Sequence, residues 1–100
     1  MGTNYEAGRR FEYERMKYWR EVLGFRVIRA AGSHGEFDLI AYDEERGVHF
    51  IQCKLVATVT TAERLLEKFR TVTIPFNQPR THKILEVKVK GSTEIRSFAI

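Results

Sequence analysis

The sequence predicts an α/β fold in which a central mixed β-sheet of about five strands carries two helices, in the order α-β-β-β-α-β-β. Two segments repeat apolar residues at helical spacing, five short runs are rich in β-branched and aromatic residues, and polar or glycine-containing turns separate them. The 100 residues correspond to one domain, residues 1–100, and a chain of this length buries only about 60–65% of its unfolded surface. Its hydrophobic core is therefore expected to be modest.

The first helix is predicted over residues 5–23, where apolar side chains recur every three to four positions and Gly24 follows as a stop signal. The second helix is predicted over residues 61–71, with Thr60 and Glu63 forming a capping box at its start. The predicted strands lie, in chain order, at residues 25–30, 37–42, 48–54, 83–90 and 93–100.

The second and third strands are predicted to form a hairpin across a polar turn. If the turn centres near Glu45, Asp38 lies opposite Gln52, and side-chain alternation then places Asp38, Gln52 and Lys54 on one face. Both faces also carry apolar residues, so each must be covered, either by one helix per face or with help from a second subunit. The opposite face is expected to carry Phe37, Leu39, Ala41, Ile51 and Cys53.

Charge is distributed unevenly along the chain, whose net charge is +4. Residues 1–35 carry +3, residues 36–50 carry −4 and residues 51–100 carry +5. A basic protein with one acidic segment is typical of a polyanion-binding protein that also holds a cation, although ordinary surface charge would give the same totals. Nucleic acid is therefore a candidate partner.

Glu12 is the acidic residue of the first helix that is expected to face the sheet. It precedes Met16, Trp19 and Leu23 at helical spacing, so it projects along the inward-facing stripe. A carboxylate at that position can reach the end of the sheet packed beneath the helix. The alternative is a boundary glutamate that forms a salt bridge with Arg15 or Arg9 of the same helix.

Four segments, taken in order, carry a resemblance to a known family. They read GRRFE at residues 8–12, GFRVIRAAGS at 24–33, FDLIA at 37–41 and IQCK at 51–54. This combination resembles archaeal and viral Holliday-junction resolvases of the PD-(D/E)xK nuclease superfamily. The resemblance implies a restriction-endonuclease-like fold, and it is more specific for the superfamily than for junction resolution.

The resemblance further implies a DNA phosphodiesterase that uses Mg²⁺ or Mn²⁺. Lys54 would be the lysine of the motif, which stabilises charge on the phosphate or holds the attacking water. Gln52 stands where an acid is usual, and its neutral oxygen is expected to lower metal affinity. The implied catalytic residues are Glu12, Asp38, Gln52, Lys54 and Ser33, and the implied metal ligands are Glu12, Asp38, Gln52 and the backbone carbonyl of Cys53.

Basic and polar residues around this site are candidates for contacts with DNA phosphates, although solvated surface charge is the alternative for the arginines. A homodimer acting on branched or four-way DNA is implied, since a two-fold enzyme matches a two-fold junction. Two other functions stay open: a nuclease of the same chemistry with another target, and a noncatalytic DNA-binding module. The candidate DNA-binding residues are Arg9, Arg10, Arg29, Ser33 and His34.

The sequence also bears on location. Cys53 is the only cysteine, which excludes an internal disulfide and favours a reducing compartment. No apolar run approaches the roughly 18–20 residues that span a membrane, and the first residues lack the apolar core of a signal peptide. We therefore expect a cytoplasmic protein, and the viral members of the resembled family are compatible with a virus-encoded one.

Overall fold

The computed structural model describes residues 4–30, 37–74 and 79–100, and in these ranges every predicted helix and strand is present. Each end differs from its predicted position by no more than two residues. The elements are α1 (Asn4–Lys17) with a π-helical turn that continues it (Tyr18–Val22), β1 (Arg26–Arg29), β2 (Leu39–Asp43), β3 (Gly47–Val56), α2 (Val59–Phe69), β4 (Thr81–Val89) and β5 (Ile95–Ala99).

Within the described ranges the strands form one five-stranded sheet in the order β1-β2-β3-β4-β5. The β3–β4 pair is parallel and the other three neighbouring pairs are antiparallel, so the predicted mixed sheet is confirmed. The parallel pair needs a crossover connection, which α2 provides. Leu39 pairs with Ile51 and Ile40 with Phe50, which confirms the hairpin register predicted from the turn.

The start of β2 departs from regular strand geometry. The Asp38 backbone N–H donates to the carbonyl of Ile51 at 2.8 Å, although Ile51 is the register partner of Leu39. Two successive residues therefore face one residue of β3, as in a β-bulge. Such a bulge breaks side-chain alternation, and Phe37 accordingly packs against Phe50, with ring centroids 5.4 Å apart.

This irregularity corrects two predictions about the hairpin faces. Asp38 points to the α1 side, where its carboxylate accepts a hydrogen bond from the Cys53 backbone N–H, whereas Gln52 lies on the α2 side. Phe37 lies on the α2 side instead of beside Leu39. The expectation that Asp38 shares a face with Gln52 was wrong, because alternation can be extrapolated only along a regular strand.

One helix covers each face of the sheet, which confirms the predicted arrangement of one helix per face. The α1 side contains Phe11 and Trp19 from the helical segment, packed on inward-facing strand residues. The α2 side contains Ala62 and Phe69. The buried strand residues are Leu39, Ala41, Ile51, Cys53 and Ile84 on the α1 side, and Phe50, Val56, Leu85 and Val87 on the α2 side.

A buried glutamate on β4 anchors the first helix to the sheet. Glu86 is only 1% exposed, and Arg15 binds it through two hydrogen bonds of 2.7 and 3.0 Å. The Trp19 indole N–H and the Ser97 hydroxyl donate to the same carboxylate at 3.1 and 3.2 Å. Since a buried charge is costly unless it is paired and hydrogen-bonded, this arrangement strongly favours one position of α1 on the sheet.

Both ends of α2 are capped by side chains. Thr58 is the N-cap and its hydroxyl accepts from the Thr61 backbone N–H, so the cap lies two residues before the predicted Thr60. At the other end the Lys83 ammonium donates to the carbonyls of Phe69 and Val72 at 2.9 and 2.8 Å, and to a third carbonyl between them in the chain. Lys83 thus satisfies carbonyls that a helix end leaves without partners.

Replacing Lys83 with methionine is expected to destabilise the protein by about 1–3 kcal/mol, because several helix-end carbonyls lose a charged donor. Lys88→Met on the same strand is the matched control and should change the free energy of unfolding much less. Urea unfolding followed by circular dichroism measures both. Equal effects of the two substitutions would contradict a capping role for Lys83.

In the described ranges, no helix combines the length and the apolar character needed to cross a membrane.

Candidate active site

A cavity of about 210 Å³ opens between α1 and the adjoining ends of β1, β2 and β3. The helix supplies Arg9 and Glu12, and the sheet supplies Arg29, Asp38 and Lys54. Acidic and basic side chains therefore converge where the bulge at the start of β2 has turned Asp38 toward the helix. Because Cys53 also lines the cavity, three of the four residues predicted as metal ligands lie there together with the predicted motif lysine.

Glu12 lies on the sheet-facing side of α1, as its position in the apolar stripe predicts, and its side chain is 21% exposed. Its ion-pair partner is Arg29 of β1, with 3.5 Å between Nε and Oε1. Of the two helix arginines considered as alternative partners, Arg15 binds Glu86 instead. Burial, and secondarily the nearby Asp38 carboxylate, raises the pKa of Glu12 even though Arg29 opposes this.

Asp38 is held by one of its two carboxylate oxygens. Oδ2 accepts a hydrogen bond of 2.8 Å from the Cys53 backbone N–H. Burial raises the pKa of Asp38, while the Cys53 hydrogen bond and then the charges of Lys54 and Arg29 act in the opposite direction. In both carboxylates, the positive charges nearby offset only part of the cost of burying the ionised form.

This donor set fits a hard divalent cation. Mg²⁺ usually binds one or two protein carboxylates and keeps several waters, so Glu12 and Asp38 suffice as charged ligands. Because the N–H and C=O of one strand residue point to the same side, the Cys53 carbonyl is expected to face the same edge of β3 as the N–H that binds Asp38. Among the described residues, no three His, Cys, Asp or Glu side chains come together as a metal-binding group.

Gln52 does not share this cavity. Its side chain lines a smaller cavity of about 80 Å³ on the α2 side, beside Leu65 and Phe69. Lys54, at the end of the strand, lines both cavities. The structure thus brings Glu12, Asp38 and Lys54 together and separates Gln52 from them, so the ligand role predicted for Gln52 has no geometric support.

The candidate DNA-binding residues divide into three groups. Arg9 and Arg29 line the cavity with the two carboxylates. Arg10 lies on a separate depression beside Lys88. Ser33 and His34, predicted in catalytic and phosphate-binding roles, lie outside the described residues.

Two residues, one beside the cavity and one beneath α1, were given no role from the sequence. Tyr13 is 43% exposed, and the guanidinium carbon of Arg29 lies 4.8 Å from its ring centroid. A hydrogen bond with Arg9, and then the charge of Arg29, lowers the pKa of Tyr13. Glu86 could have been suspected, since it interrupts the apolar run from Ile84 to Val87.

No protein-family model, curated protein or solved structure matches the chain. The resemblance to PD-(D/E)xK nucleases therefore depends on the four sequence segments.

The raised pKa values of Glu12 and Asp38 have a consequence for stability. Both lie above the ordinary values of 4.5 and 3.8, so the folded state binds these protons more tightly than the unfolded state. Ionisation of these two carboxyl groups therefore lowers the free energy of unfolding at neutral pH. This loss of stability disappears as the pH falls from above the raised pKa of the folded state to below the ordinary pKa of the unfolded state. In EDTA, Glu12→Gln should be more stable than wild type at neutral pH.

That advantage should shrink as the pH falls through the raised pKa toward the ordinary value of 4.5, because wild-type Glu12 then gains its proton in the folded state. Thermal unfolding of both proteins across this pH range measures the difference. A stability advantage that grows as the pH falls would contradict the raised pKa.

Proposed function

We propose that this protein is a Mg²⁺- or Mn²⁺-dependent endodeoxyribonuclease of the PD-(D/E)xK type, which hydrolyses phosphodiester bonds of DNA. The observation that carries the proposal is the convergence of Glu12 and Asp38 with Lys54 in one cavity, although Glu12 lies on α1, Asp38 immediately before β2 and Lys54 on β3. Carboxylates with raised pKa values beside basic groups are typical of catalytic sites.

Each residue has a defined role in this proposal. Glu12 and Asp38 hold the divalent cation, which when bound lowers the pKa of a water molecule and neutralises phosphate charge. The exposed Lys54 ammonium lies at the cavity, where it stabilises the negative charge that grows on the phosphate oxygens. Arg9 lines the same cavity and orients the phosphate backbone without reading sequence.

Branched DNA is the proposed substrate, and a homodimer is the proposed active form. Both follow from the resemblance to Holliday-junction resolvases, whose two-fold symmetry matches that of a four-way junction. The net charge of +4 supports a polyanionic substrate. A cytoplasmic location is part of the same proposal, since the only cysteine, Cys53, is a free thiol.

One observation favours a second candidate, a noncatalytic DNA-binding module of the same fold. Gln52 replaces the usual acid with a neutral amide, and that amide lies in the cavity on the α2 side. The remaining carboxylates then provide less negative charge for a cation than an intact motif does. In this candidate the cavity would retain its basic residues and bind DNA without cleaving it.

Cleavage of a labelled four-way junction, compared with matched duplex and single-stranded DNA in Mg²⁺, Mn²⁺ or EDTA, tests the proposal. Paired nicks that need a metal, occur only at the junction and are lost in Asp38→Ala are expected. Metal-dependent cutting of all three substrates would retain the nuclease and remove the junction preference. Tight binding of DNA without cleavage in either metal would favour the noncatalytic module.

A further inference from the structure

Arg29 occupies an unusual position for a residue that is expected to bind phosphate. Its guanidinium pairs with Glu12 at 3.5 Å, and the side chain is only 20% exposed. It therefore neutralises the same carboxylate that the proposed cation would bind. A guanidinium and a divalent cation cannot both be the principal partner of Glu12, since each supplies the positive charge that the buried carboxylate needs.

The hydrogen-bonding groups of Arg29 are poorly used in this arrangement. Across residues 4–30, 37–74 and 79–100, its buried Nε–H makes no regular hydrogen bond, and the 3.5 Å that separates it from Oε1 of Glu12 is long for one. Its Nη1 donates to the Tyr13 hydroxyl at 3.4 Å, which is long for an N–H···O bond. Among the residues that the structure describes, most of a donor set that suits a phosphate group is thus not engaged in strong hydrogen bonds.

Tyr13 supports Arg29 in a way that does not depend on Glu12. The guanidinium carbon of Arg29 lies 4.8 Å from the ring centroid, and that of Arg9 lies 5.8 Å away. A cation–π contact holds the guanidinium over the ring but leaves the donors at its edge free to change partner. Tyr13 therefore provides a platform on which a small rotation of Arg29 can exchange one anion for another.

We propose that Arg29 changes partner during the binding cycle: it neutralises Glu12 in the metal-free protein, and it transfers to a phosphodiester oxygen when a divalent cation binds Glu12 and Asp38. This inference rests on the proposed function, because it assumes the cation and the phosphodiester. Cation binding then releases a phosphate-binding arginine, and phosphate binding in turn releases a metal ligand. The two ligands promote each other's binding, as thermodynamic linkage requires.

The proposal sets Arg29 apart from an ordinary phosphate-binding residue. Removing an ordinary contact weakens DNA binding and leaves the metal site almost unchanged. Removing Arg29 instead removes a competitor of the metal ion, so cation affinity must increase. Coupling between two sites typically changes affinity by about 5- to 150-fold, which is readily measured.

The first measurement is calorimetric titration of each protein with Mn²⁺ in the absence of DNA. Arg29→Gln is compared with Arg26→Gln, which removes the same charge from an exposed position on the same strand. We expect Arg29→Gln to bind Mn²⁺ at least about 5-fold more tightly than Arg26→Gln. Equal affinities of the two variants would overturn the exchange of partners.

The second measurement changes Glu12, the other member of the ion pair, and leaves Arg29 unaltered. In EDTA, fluorescence anisotropy of a labelled oligothymidylate compares Glu12→Gln with Glu14→Gln, an exposed glutamate of the same helix. Because loss of the Glu12 charge releases Arg29, Glu12→Gln should bind the oligonucleotide at least about 5-fold more tightly than Glu14→Gln. Equal binding would overturn the proposal even if Arg29→Gln failed to fold.

The outcomes also separate this inference from the proposed function. If wild type binds Mn²⁺ and Asp38→Asn does not, the metal site stands, and only the variant comparisons decide the role of Arg29. If wild type binds no Mn²⁺, the metal site and the exchange both fail. Thermal unfolding of each variant establishes that a change in affinity is measured on folded protein.

Discussion

Replacing Asp38 with asparagine is expected to lower the rate of metal-dependent DNA cleavage by on the order of 10²-fold or more, while making the metal-free protein more stable. The asparagine carbonyl can still accept the hydrogen bond from the Cys53 N–H, so the bulge at the start of β2 is retained. The negative charge that holds the cation is lost. Because burial raises the pKa of Asp38, removing this charge relieves an unfavourable ionisation in the folded state.

Asp43→Asn on the same strand is a matched control with the opposite expectation. Hydrogen bonds from the backbone and side chain of Arg46, together with its charge, lower the pKa of Asp43, although slight burial opposes this. The ionised form of Asp43 therefore stabilises the fold, and Asp43→Asn should lower the melting temperature at neutral pH. Its cleavage rate should remain close to that of wild type, because Asp43 lies at the other end of β2.

Cleavage of labelled DNA in Mg²⁺ and thermal unfolding in EDTA provide the two readouts. Opposite shifts in melting temperature, with loss of cleavage only in Asp38→Asn, would support a functional site that is maintained at a cost in stability. If Asp38→Asn destabilised the protein as Asp43→Asn does, Asp38 would have to be regarded as a structural residue.

The second large effect is expected at Glu86, where substitution by alanine should destabilise the protein by about 3–5 kcal/mol. The substitution leaves Arg15, whose side chain is 11% exposed, without its bidentate partner. The Trp19 indole and the Ser97 hydroxyl lose their acceptor as well. Urea unfolding followed by circular dichroism and by Trp19 fluorescence measures the loss.

A control and a double variant identify the source of this penalty. Glu94→Ala removes an exposed ion pair with Arg96, and exposed pairs of this kind contribute only about 0–1 kcal/mol. Arg15→Met combined with Glu86→Leu replaces both charges by apolar side chains and should recover most of the stability lost in Glu86→Ala. If the double variant were as unstable as Glu86→Ala, packing rather than an unpaired charge would explain the effect.

The fold could be predicted because its local signals are strong and regular. The polar turn at residues 43–47 determines the β2–β3 register, so the pairing of Leu39 with Ile51 follows from counting along the chain. Gly24 follows the helical segment with a φ of 79°, a conformation that glycine adopts without strain. The predicted cap of α2 was wrong because Thr58 and Thr60 lie two positions apart and either hydroxyl could act as an N-cap.

The site was less predictable, for reasons that concern single residues. Glu12 was correctly expected to face the sheet, since helical periodicity extends to polar positions. Asp38 was assigned to the wrong face because a bulge leaves no mark in the sequence at its position. The contact of Arg29 with Glu12 joins β1 to α1, and a long-range pair of this kind cannot be obtained from local spacing.

The hydrogen bond from the Cys53 backbone N–H to Asp38 provides the site with a spectroscopic probe of its own. Within a sheet, a backbone amide usually donates to a carbonyl, and its NMR frequency then reflects backbone geometry. Here the acceptor is the carboxylate proposed to hold the cation. A proton or a diamagnetic cation on the other oxygen of Asp38 withdraws charge from this acceptor, so in ¹⁵N-enriched protein the Cys53 ¹H–¹⁵N resonance follows the ionisation of the site without any chemical modification.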